Sequence, residues 1–322
     1  MLARTTLSAM SIVHLDLGDG DENLGDRDAE HVVALRHRSA ESLERAYDFL
    51  ERTEDRWAKL RAQVLCGARP SGELTAAIAE AQSPDGSLAI ATLISGGAPG
   101  FPPTDLEALE PEAQKLVGTL EALMMAADGK VIHAAWVESA AEALAERQSA
   151  DGAFRVPVHG EGCSQLQADV FWTGMVAGIL GQTPVSRPSL LDAAGEFLAR
   201  HFEPEAVEND GYSALMAYAH FFTNVAHDMG DEALQWCGRA LEKGFRSRQF
   251  DAVATTRVLL TCEAQALPGA SFDVTELLEG VLAEQARDGG FAELAVGGIA
   301  ARTSQTFDAM LAIVRLCGAI DE

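Results

Sequence analysis

Positive charge and aromatic rings are both scarce in this sequence, and each shortage removes a class of function. Lysine and arginine number 24 against 49 aspartates and glutamates, leaving a formal net charge of −25 and an isoelectric point near 4.6. So acidic a chain repels phosphate backbones and anionic lipid, which argues against nucleic-acid partners and against membrane attachment through a basic patch. Aromatics are only 6% of the residues. The five cysteines (Cys66, Cys163, Cys237, Cys262 and Cys317) are odd in number and widely spaced, and four fall inside helical patterns. That pattern excludes a disulfide framework and reads as reduced thiols. No run of about 18 apolar residues occurs, and no uninterrupted apolar segment follows Arg4, so the expectation is a cytoplasmic protein without a signal peptide or a membrane span.

What the sequence does have is apolar residues and a repeat. Hydrophobic residues are 48% of 322, ample for a sizeable core. A pattern of glutamine, then Asp-Gly three and four residues on, then a large apolar residue at plus six, occurs three times. Its copies are Gln82, Asp85, Gly86 and Leu88; Gln148, Asp151, Gly152 and Phe154; and Gln285, Asp288, Gly289 and Phe291. Each copy closes one apolar-periodic segment and opens a loop. The starts lie 66 and then 137 residues apart, so the second interval leaves room for two units that have lost the motif.

Residues 1–38 differ from the rest and read as an acidic N-terminal extension to a repeat domain over 39–322. Asp19, Asp21, Asn23 and Glu30 have calcium-loop spacing, but Leu24 occupies the position of the obligatory glycine, so the stretch reads as a solvated leader. From Ser39, read as a helix cap, a 3.6-residue periodicity runs to about 66. Helical pairs follow: about 72–82 with 104–127, 131–148 with 165–180, 189–202 with 210–225, 231–241 with 250–266, and 275–285 with 303–316. The segments 170–180, 214–222 and 307–316 are apolar nearly all round, as in helices covered on both sides, whereas 140–148 keeps a charged face. The expected fold is therefore all-α: an α/α toroid, a double ring of about five to six helical hairpins with an N-terminal extension.

At this point the chain resembles a known superfamily. Gln-x-x-Asp-Gly-x-Phe at a helix-to-helix turn is similar to the repeat of protein prenyltransferase β-subunits and of squalene-hopene and related class II terpene cyclases, over roughly residues 72–318. The resemblance implies a central cavity for a hydrophobic, isoprenoid-like molecule, with chemistry at the N-terminal ends of the inner helices. The catalytic residues of either branch do not recur. Asp210, Gly211, Tyr212 and Ser213 resemble the prenyltransferase zinc segment without its cysteine, and Gln305-Thr306 stands where a His-Thr ligand belongs, so no metal or other cofactor is expected. Glu203, Glu205 and Glu208 occupy the place of diphosphate-binding cations. No Asp-x-Asp-Asp tetrad is present for a cyclase.

The candidate site residues are those that fall at inner-helix starts. Asp169 and Asp210 are candidate acid/base carboxylates, and Cys163, near His159 and ahead of a helix, is a candidate nucleophile. Gln167, Phe171, Trp172, Tyr212, Asp251, Arg302 and Gln305, with His159, are candidate substrate-binding residues. The competing structural roles are capping for the aspartates, a loop position for Cys163 and core for the aromatics. Three functions stay open: a toroid that binds, or binds and transforms, a hydrophobic small molecule; a scaffold that binds a peptide or protein partner; and a carbohydrate-active α/α barrel. A deep apolar cavity with Asp169 and Asp210 at its rim supports an enzyme, and a cavity plugged by side chains removes it.

Overall fold

A computed structural model describes residues 26–88, 109–158, 163–185, 187–204, 212–291 and 298–320. Among these residues the protein is all-α, with twelve helices and no strand. None of the helices is long and apolar enough to cross a membrane. They are α1 (Asp26–Glu51), α2 (Arg56–Leu65), α3 (Ser71–Ala81), α4 (Pro111–Asp128), α5 (Ala135–Ala145), α6 (Gln165–Gln182), α7 (Pro188–Arg200), α8 (Tyr212–Asn224), α9 (Gly230–Arg246), α10 (Ala252–Thr261), α11 (Val274–Ala283) and α12 (Gly298–Ala319).

Burial divides the helices into two kinds. In α6 every residue from Ala168 to Leu180 is buried, and in α8 every residue from Ala214 to Phe222. By contrast, α9 buries only Gly230, Ala233, Cys237, Gly238, Leu241 and Gly244, a single stripe. The buried helices α6 and α8 belong to a series that packs in chain order, α4 on α6, α6 on α8, α8 on α10 and α10 on α12, and α12 returns to pack on both α1 and α2. A salt bridge from Arg61 of α2 to Asp128 of α4 then links the two ends of that series. These contacts fit the expected toroid.

All three motifs build one device. The glutamine Nε2 donates to the carbonyl of its own motif glycine (Gly86, Gly152 and Gly289, at 2.8, 3.0 and 3.0 Å). It also donates to a carbonyl of the next outer helix: Trp136 of α5 at 3.0 Å, Leu190 of α7 at 2.9 Å and Ser42 of α1 at 2.9 Å. The glycines sit at φ +81, +93 and +93°, and a Cβ there would lie 2.3, 2.0 and 2.2 Å from the carbonyl oxygens of Ser139, Ala193 and Arg45. Glycine is therefore required twice over, for the left-handed backbone and for close approach to the neighbouring helix. The apolar residue at plus six is buried, and its N–H donates to a threonine hydroxyl on the following inner helix: Leu88 to Thr119, Phe154 to Thr173 and Phe291 to Thr306, at 2.9–3.0 Å.

The third copy thus joins α11 to α1, and α1 departs from the sequence expectation in two ways. Ser39 is not a cap: it lies inside a helix that begins at Asp26, and its buried hydroxyl donates to the Leu35 carbonyl at 2.9 Å. The periodic stretch 39–66 is also broken, because the Asp55 carboxylate accepts from the N–H groups of Trp57 and Ala58 and starts α2 afresh. Helix α4 begins at Pro111, a residue whose fixed φ suits a first turn, rather than at 104, which lies outside the described residues. The acidic run from 16 to 25 lies outside them too, as does most of the calcium-loop stretch.

Candidate functional site

The structure places the sequence-derived candidates mostly in supporting positions. Asp169 is 6% exposed and four residues before Thr173. It accepts from Arg155 Nε at 3.0 Å and Gln165 Nε2 at 2.7 Å, and Arg155 also binds Asp151 of the second motif. Arg302 holds the same register, four before Thr306, and binds Asp288 of the third motif at 2.7 Å while lying over the Phe49 ring. In the first motif that position is Lys115, bound to Asp85 at 2.9 Å. One ion-pair scheme therefore accounts for Asp169 and Arg302 together: where the inner helix carries a carboxylate instead of a cation, Arg155 bridges the two acids.

Cys163 precedes the Ser164 cap of α6, and its Sγ lies 3.4 Å from the Ser164 carbonyl. The Gln167 side chain accepts from Ser164 N–H, completing a capping box. Phe171 and Trp172 are fully buried against each other, edge to face at 5.1 Å. Asp251 caps α10 through Ala254 N–H at 2.6 Å. The Tyr212 hydroxyl donates to the Ala254 carbonyl at 2.9 Å, and burial holds the phenol far above its usual range. Gln305 is half-buried on α12. His159 and Asp210 lie outside the described residues, so the Asp169–Asp210 pair has no measured separation.

The charged groups that the structure does bring together are others. Asp128, at the end of α4, accepts from Arg61 of α2 and Arg257 of α10, both at 2.8 Å, and all three side chains are close to nine-tenths buried. Asp308 of α12 stands 3.8 Å from Arg257, and the Arg61 guanidinium lies 3.7 Å above the Phe307 ring. Burial pushes the Asp128 carboxyl up, but the two guanidiniums outweigh it and hold the group below its ordinary value. Asp308 is raised by burial. Glu121, two turns before Asp128 on the same face of α4, is pushed up to about 7 by burial, with Arg61 and Arg257 opposing and Asp308 and Asp128 adding.

Glu121 makes a pH prediction. Between 4.5 and about 7 the folded protein keeps this proton while the unfolded chain gives it up, so stability falls as pH rises through that window. The penalty levels off near 3 kcal/mol. Glu121→Gln holds the group neutral, so the variant should match the wild type at pH 4.5 and exceed it at pH 8 in urea midpoints. A difference that does not change with pH would refute the assignment. Glu284, also raised to about 7 by burial, is present in both proteins and cancels.

Two adjoining cavities open at the C-terminal ends of the inner helices, opposite the ends where the sequence resemblance puts the chemistry. One, of about 450 Å³, has Met124, Ile179, Leu260 and Leu311 among its walls. The other, of about 360 Å³, lies against Arg61, Leu74, Met125 and Phe307. They share Asp128, Lys130, Val314 and Arg315. His220, on the first, is buried and kept neutral, its ring lowered to about 4 by burial. Among the described residues no group of three or more His, Cys, Asp or Glu side chains is arranged to hold a metal ion.

Comparison with protein-family models and with curated proteins gave no match. The site is therefore read from its own geometry.

The signal for this cluster was available in the sequence as isolated charges in apolar helices. Glu121 interrupts the run 116–127, Arg257 the run 252–260 and Asp308 the run 307–313. A charge on a helix covered on both sides must find partners.

Proposed function

We propose that this protein is a small-molecule-binding α/α toroid, related in architecture to prenyltransferase β-subunits and class II terpene cyclases, and that it holds a hydrophobic, isoprenoid-like molecule between its inner helices without zinc. The observation that carries this reading is the pair of adjoining cavities, whose volumes fall within the roughly 300–1,000 Å³ usual for small-molecule sites. Apolar walls with a few converging charges are the usual composition of such a site.

Farnesol is a suitable probe. Gly318 lines the larger cavity, and a Cβ built there meets nothing within 4 Å, so the helix accepts a side chain at this position and Gly318→Trp places a large one on the cavity wall. Farnesol is expected to raise the melting temperature of the wild type and to have no effect on Gly318→Trp. Equal response, or none, from both proteins would count against the cavity as the site and favour the partner-binding scaffold.

A further inference from the structure

The walls of the two cavities carry a charge opposite to that of the molecule. Their ionised side chains are four cations, Arg61, Lys130, Arg257 and Arg315, and two carboxylates, Asp128 and Glu263, in a chain of net charge −25. The pairing is uneven. Asp128 is shared by Arg61 and Arg257, with Asp308 behind Arg257, and Glu263 binds Lys130 at 2.8 Å. Arg315 is left over. It lies on the wall common to both cavities, and among the described residues it has neither an ion-pair nor a hydrogen-bond partner.

Next to it the apolar surface of Met124, Ile179, Leu260, Leu311 and Val314 runs along the larger cavity. A guanidinium presents parallel N–H donors that match a carboxylate and gain most beside an apolar surface that water leaves. The helix C-termini that converge here contribute the negative ends of their dipoles and disfavour a highly charged head. The arrangement therefore suits one negative charge better than the two or three of a diphosphate.

We infer that the ligand of this cavity is an amphipathic monoanion, an apolar chain ending in a carboxylate, with its head on Arg315 and its tail along α4, α6, α10 and α12. This rests on the small-molecule reading above and adds the class of ligand. Arg315 is the specificity-determining residue, and the paired Arg61–Asp128–Arg257 group belongs to the same cavity walls.

Three probes of one chain separate the possibilities: farnesoate, farnesol and farnesylamine, titrated calorimetrically into the wild type, Arg315→Gln and Gly318→Trp. Farnesoate is expected to bind the wild type roughly tenfold more tightly than farnesol, as one charge-assisted contact allows, and farnesylamine more weakly than either. Arg315 is exposed, so its replacement should leave the fold intact. In Arg315→Gln farnesoate should fall to the farnesol level, with farnesol itself unchanged. Farnesol or farnesylamine binding the wild type as tightly as farnesoate, or an undiminished preference in Arg315→Gln, overturns the anionic head while leaving the cavity as the site. If none of the three binds, or if Gly318→Trp binds all three as the wild type does, the cavity reading fails and the inference with it.

Discussion

Replacing Asp128 with alanine is expected to cost about 3–5 kcal/mol in urea-unfolding free energy, the usual loss when one member of a buried ion network is removed. The reason is what remains. Arg61 and Arg257 are each close to nine-tenths buried and take their best-placed acceptor from this one carboxylate. Without it, Arg257 retains Asp308 at 3.8 Å, and Arg61 retains the face of Phe307 and the more distant carboxyls of Glu121 and Asp308. Removing the whole network at once should be far milder: Asp128→Leu with Arg61→Met and Arg257→Met replaces paired charges by apolar groups of similar size and is expected to recover most of the loss. A penalty below about 1 kcal/mol for Asp128→Ala would mean that water already solvates the guanidiniums and that the ring is open at its centre.

Gly289→Ala is expected to cost on the order of 3 kcal/mol, from the left-handed φ together with overpacking against a backbone that cannot turn aside. At φ +93° the added Cβ would stand 2.2 Å from the Arg45 carbonyl oxygen. The effect should be local in a way that a core mutation is not. Hydrogen exchange should accelerate across α1, while amides of α6 and α8 keep their protection. Gly152→Ala meets an equivalent obstacle at Ala193 but lies between α5 and α7, so it should leave α1 protected. Full protection of α1 in Gly289→Ala would show that the third motif does not hold the first helix.

The turns of this fold were legible because they depend on residues close together in sequence. Gln285, Asp288 and Gly289 lie within a few positions of one another and the same pattern recurs at Gln82 and Gln148, although the Ser42 and Arg45 carbonyls that they approach belong to a distant helix. The expected division into wholly apolar and one-sided helices likewise follows from periodicity along one segment, as α6 and α9 illustrate. What could not be read was which distant side chains meet. Glu121, Arg257 and Asp308 stand out as charges within apolar runs, but their pairing with Arg61 and Asp128 is made between α2, α4, α10 and α12 and has no local signal. The candidates Asp169 and Arg302 were conspicuous because they start inner helices, yet that is where the motif aspartates need partners. Ser39 resembles a cap in the sequence; in the folded protein Ser39 and Ser42 are small buried residues inside α1, and the Ser42 carbonyl receives Gln285.

Although the three glutamine clasps use the same chemistry, the chain must travel very different distances to make them. Gln82 and Gln148 reach carbonyls 54 and 42 residues away, whereas Gln285 reaches one 243 residues away. In an unfolded chain, loop entropy makes that last closure about 1.5 kcal/mol harder than the shortest of the three. Equal bonds with unequal closure entropies lead us to expect that the two internal clasps form before the one between α11 and α1. If that order holds, agents that hold α1 against α11 should slow unfolding without changing how fast the remaining helices assemble.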